Sequence, residues 1–129
     1  MKIDPASTLR ALAAVAAVGL LAPAGCGGAA DVRPAQWSFI SVTITEPSCA
    51  TVNCHSAVSQ RAGLDLHARE IGYYSLVNGI YVIPGAPAQS SLIDWLGTNA
   101  PLRMPPDSPL PPDDIQLIER WISDGAPND

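Results

Sequence analysis

Cys49-Ala50-Thr51-Val52-Asn53-Cys54-His55 is the stretch on which the reading of the whole chain turns. Two thiols are followed at once by an imidazole. Thiols in this order can form thioether bonds to the vinyl groups of a haem, and the adjacent imidazole can bind the iron. The common spacing for that chemistry is C-x-x-C-H; here four residues separate the cysteines. The same residues allow two other arrangements. In an oxidising compartment Cys49 and Cys54 can close a small disulfide loop, with His55 incidental. A zinc site would combine Cys49, Cys54, His55 and His67, a spacing that fits no common zinc pattern. The surrounding sequence has to discriminate between them, and it favours haem.

An iron held through His55 needs a second axial ligand or an open position. Beyond the first residues the chain has a single methionine, Met104, inside Leu102-Arg103-Met104-Pro105-Pro106. A thioether is a soft ligand that favours ferrous iron and raises the reduction potential. So weak a ligand survives only if the sulfur is held in position, and a proline-stiffened loop does that. A methionine can also merely fill a gap in a core. His67 is the competing ligand, but Arg69 and Glu70 beside it mark a solvated face, so it is expected to be exposed.

The periodicities predict a mainly helical, all-α domain. Trp37, Ile40 and Ile44 recur at helical spacing. That predicts a first helix over 37–44, ended by Pro47. A short helix is expected over Tyr73–Val77, stopped by Asn78-Gly79. Ile80-Tyr81-Val82-Ile83 reads as a short strand or a buried extended segment. Ser90 can cap a helix over Ser91–Leu96, closed by Gly97. Six prolines between Ala100 and Pro112 exclude regular structure there. The last helix starts near Pro112, with Asp113 and Asp114 at the positive end of its dipole. Ile115, Ile118, Trp121 and Ile122 form its buried stripe. Gly125 stops it, and Ala126-Pro127-Asn128-Asp129 is expected to fray.

Residues 1–26 read as a signal peptide with a lipobox. Lys2 and Arg10 precede an uncharged run, Ala11 to Ala22, too short to span a membrane. Leu21-Ala22-Pro23-Ala24-Gly25-Cys26 then predicts removal of residues 1–25 and lipidation of Cys26; a plain secretory signal cut nearby is the alternative. Residues 27–36 are expected to form a flexible tether and 37–126 the domain. From Cys26 onward there are five Arg, no Lys and eleven Asp or Glu, a formal charge of −6. That surface argues against nucleic acid and anionic membranes as partners, and without lysine no Walker motif exists. One Phe, three Trp and three Tyr make a thin aromatic inventory, which a buried porphyrin would supplement.

The stretch 37–126 resembles the cytochrome c-like domains of planctomycete- and myxobacterial-type bacterial lipoproteins, within the c-type cytochrome family. The resemblance rests on Cys49-Ala50 through Cys54-His55, Gly63-Leu64-Asp65-Leu66, Pro84-Gly85 with Ser91-Leu92, Arg103-Met104-Pro105, and Ile118 through Ala126, in that order. It implies a small orthogonal helical domain with long Pro-rich loops, in which Trp37 or Ile40 packs against Ile118, Trp121 or Ile122. It implies a covalent haem c bound through Cys49 and Cys54, with His55 and Met104 as axial ligands. The implied role is a one-electron carrier rather than an enzyme, with no small-molecule substrate. Its expected place is the cell envelope, anchored by the Cys26 lipid, facing the periplasm and meeting redox partner proteins there.

Overall fold

Trp37, Ile40 and Ile44 are all buried, and the backbone around them is helical from Trp37 to Cys49. The computed structural model describes residues 30–97, 99 and 101–129; the signal-peptide stretch and Cys26 lie outside them. Helix α1 (Trp37–Ile40) runs into a wide π turn (Ser41–Thr45) and then α2 (Glu46–Cys49). The predicted stop at Pro47 is therefore wrong. In the wide turn the Glu46 N–H bonds the Ser41 carbonyl, five residues back. The Thr43 hydroxyl donates to the Phe39 carbonyl at 2.7 Å. The ladder restarts after the π turn, so Pro47 falls in the first turn of α2, where its missing N–H costs nothing.

Helix α3 (Arg69–Asn78) starts four residues before the predicted one. Gly72 lets it approach Trp37: a Cβ there would meet the indole at 3.3 Å, and the Trp37 Nε1–H donates to the Arg69 carbonyl at 2.8 Å. Ile80–Ile83 forms no strand, and none exists among the described residues. Instead the Tyr81 and Val82 N–H groups both bond the Leu76 carbonyl, at 3.0 and 3.1 Å, folding the chain back under α3. Helices α4 (Ser91–Leu96) and α5 (Pro112–Ser123) fall where expected. Ser90 precedes α4 without capping it. Its hydroxyl accepts from the Ile83 N–H at 2.9 Å and donates to the Ala86 carbonyl at 3.0 Å, so it ties two loops together.

The first and last helices meet through stacked indoles. Trp37 and Trp121 lie 5.0 Å apart, and Tyr73 packs against both. Ile40, Ile44, Leu76, Leu96, Ile118 and Ile122 complete the centre of the core. Leu117, at 0 % exposure, belongs to the stripe of α5, whereas Ile115 is only partly buried.

The C-terminal residues do not fray, and the domain extends past 126. Ala126 is buried, and its carbonyl accepts from the Tyr73 hydroxyl at 3.0 Å. The Pro127 carbonyl accepts from Trp121 Nε1 at 2.9 Å. Asp129 reaches the start of α1, where its carboxylate accepts from the Trp37 N–H at 2.7 Å and its backbone oxygen from the Ser38 N–H at 3.1 Å. No side chain at Gln36 caps that helix, so Asp129 does so from 92 residues away. Asp31 and Arg33, within the stretch read as tether, are also engaged. Arg33 pairs with Asp31 and Asp114, and Arg120 with Asp31. Hydrogen bonds from Arg33, then Arg120, hold the Asp31 carboxyl far below its usual range.

Removing the remote cap should cost what an N-cap is worth. D129A is expected to lower unfolding stability by about 1 kcal/mol in urea denaturation. An unchanged midpoint would show that α1 does not depend on this residue.

Candidate haem site

Cys49 ends α2, and the segment after it is woven by main-chain bonds before the chain reaches α3. The His55 N–H bonds the Cys49 carbonyl at 3.1 Å and the Cys54 N–H the Thr51 carbonyl at 2.9 Å. The Arg61 N–H returns to the Cys54 carbonyl at 3.1 Å, and the Leu66 N–H to the His55 carbonyl at 2.8 Å. A 3-10 turn (Arg61–Gly63) makes the return possible, with left-handed φ at Gln60, Ala62 and Gly63.

This weave sets the imidazole. His55 Nδ1 lies 3.1 Å from the Arg61 carbonyl, which can only accept. In the neutral ring the proton is therefore on Nδ1, which leaves the Nε2 lone pair for a metal. Main-chain bonds also place Met104: its N–H donates to the Trp95 carbonyl at 2.8 Å, and the next peptide, Met104–Pro105, is cis. Arg103 reaches over the same loop to the Pro106 carbonyl at 2.7 Å.

All four residues predicted to hold a haem line one partly open cleft of about 270 Å³. Cys49, Cys54 and His55 reach it from the weave, and Leu102, Met104, Pro105 and Pro106 from the proline-rich loop. Leu64, Leu66, Leu92 and Leu96 supply apolar wall, and Tyr81 and Trp95 add a ring pair 5.4 Å apart. The lining is almost wholly apolar. Met104 is 38 % exposed, so it lines the cleft and does not fill a gap in the core. Both thiols are free. Burial, then the nearby Cys54, pushes the Cys49 thiol up to about 11.

His67 does not line the cleft. It is exposed, as expected, and its Nδ1 lies 2.6 Å from the Asp65 carboxylate. Burial works to raise that carboxyl, but bonds from His67 and Gln60 outweigh it and hold it below its usual range. Among the described residues no group of three or more His, Cys, Asp or Glu could hold a metal ion by itself.

The donor set suits a flat apolar macrocycle carrying iron. It offers two thiols for covalent attachment, one imidazole nitrogen and one soft sulfur, with hydrocarbon between them. Residues 52–108 match a family model described as Planctomycete cytochrome C. That match supports a planctomycete-type cytochrome c-like domain. The matched residues include Cys54, His55 and Met104 and stop short of Cys49 and α5. The family implies haem. No curated protein and no solved structure matches the chain. Among the described residues no helix is long and apolar enough to cross a membrane.

The sequence singled out Leu64 and Leu66 as part of a resemblance but did not assign them to a cleft wall. Leu64 and Leu66 alternate around Asp65, a pattern that marks two side chains on one face. The Arg61 carbonyl, which orients His55, is a main-chain atom with no sequence signature.

The raised Cys49 thiol makes a chemical prediction for the haem-free protein. At pH 8, iodoacetamide should modify Cys49 on the order of 100-fold more slowly than in the unfolded chain, followed by timed peptide mapping. Equal rates would refute its burial. The folded state favours the neutral thiol, so this contribution to stability is complete below the ordinary value of 9.0. It is lost as the pH rises toward about 11.

Proposed function

We propose that this domain is a monohaem c-type cytochrome that carries single electrons in the periplasm. The observation that supports it is the convergence of Cys49, Cys54, His55 and Met104 on one apolar cleft. Cys49 and Cys54 would hold the haem c as thioethers, and His55 Nε2 and the Met104 sulfur would bind its iron. The bound haem supplies a metal that takes up and gives back one electron. The chain's own residues do the rest. The Arg61 carbonyl keeps the proton on His55 Nδ1, so Nε2 stays available. The bond from the Met104 N–H to the Trp95 carbonyl holds the Met104 backbone beside the cleft. The leucines and Trp95 exclude water, and a soft sulfur ligand in dry surroundings favours the ferrous state.

With His55 and Met104 both engaged as ligands, no small-molecule substrate would be needed at the iron, and the role would be a carrier's rather than an enzyme's. The partners are redox proteins of the periplasm. Removal of residues 1–25 and lipidation of Cys26 would anchor the protein in the cell envelope. The acidic surface, −6 from Cys26 onward, argues against nucleic acid.

Expression with a haem-attachment system tests this directly. Intact mass and the pyridine haemochrome spectrum should give one haem per chain; a chain of unmodified mass would end the proposal. M104A should lower the reduction potential and open the reduced iron to carbon monoxide. An unchanged spectrum and potential would remove Met104 from the ligand set.

A further inference from the structure

The two additional residues between Cys49 and Cys54 pose a geometric problem. Both thiols must face one cleft, so the surplus chain has to be folded away from it. Val52, at the middle of the stretch, is 76 % exposed, so the surplus points outward. Its carbonyl accepts two hydroxyls from beyond His55: Ser56 Oγ at 3.1 Å and Ser59 Oγ. The Ser56 hydroxyl in turn accepts the Ser59 N–H at 3.2 Å, and the Gln60 N–H bonds the Ser56 carbonyl at 3.1 Å. The segment after His55 thus clasps the loop before it, and the clasp closes on the surplus residues alone.

We propose that Ser56 and Ser59 are positioning residues for cofactor attachment, their hydroxyls holding the widened loop outward so that Cys49 and Cys54 present their sulfurs to one cleft together. This rests on the haem reading given above. Attachment is an addition. Each sulfur gains a bond to the inner vinyl carbon, the thiol proton passes to the outer carbon, and no oxidant or reductant is consumed. Both additions need both sulfurs in register. A loop free to swing leaves one of them behind.

The test counts thioethers per chain by mass spectrometry after expression of the full chain with a haem-attachment system. In S56A/S59A the doubly linked share should fall about threefold, as expected for losing two solvent-exposed hydrogen bonds, with singly linked chains rising to match. S59T, which keeps the hydroxyl, should restore linkage when compared with S59A. A chain lacking Thr51 and Val52 has the C-x-x-C-H spacing and no surplus to clasp, so the two alanines should not change its linkage. Wild-type linkage in S56A/S59A would overturn the proposal, as would an equal loss in the shortened chain, which would mark the serines as general folding residues. A wild-type chain with no linkage at all would overturn this proposal together with the haem reading, and is distinguished by the unmutated control.

Discussion

The hydrogen bond from His55 Nδ1 to the Arg61 carbonyl is the constraint on which the site depends. An imidazole has two nitrogens, and only the one without a proton can meet a metal. A carbonyl partner settles that choice, because it has nothing to donate. The carbonyl is itself held by the tight Arg61–Gly63 turn, whose left-handed residues bring the chain back past Cys54. The same oxygen also accepts the Leu64 N–H at 3.1 Å. One peptide group thus orients the candidate ligand and starts the Leu64–Leu66 wall of the cleft.

The cleft and the core share a partition. Cys49, Leu66, Leu92 and Leu96 line the cleft and also a small internal void backed by Trp37, Ile118 and Trp121. Interiors packed this closely transmit strain. Substitutions among these residues therefore alter folding and site together. The C-terminal residues reinforce the arrangement from behind, because Ala126, Pro127 and Asp129 bond to Tyr73, Trp121 and Trp37.

Much of this was legible where side chains carry the signal. Cys49, Cys54, His55 and Met104 stood out by type and spacing, and all four line the cleft. The limits of α4 and α5 followed from Ser90, Gly97, Pro112 and Gly125. The failures lie where main-chain atoms or distant partners decide. Pro47 looked like a terminator because a π turn is invisible in composition. Ser90 stood at the right boundary but spent its hydroxyl on Ile83 and Ala86. The last four residues looked loose because their partners are up to 92 positions away.

X-ray absorption at the iron edge of the haem-loaded protein tests the central claim most directly, since it reads the ligand atoms themselves. The account predicts one sulfur scatterer among nitrogens, lost in M104A, and an imidazole signature lost in H55A. A first shell of nitrogens alone would contradict it, because Met104 would then lie at the cleft without touching the metal.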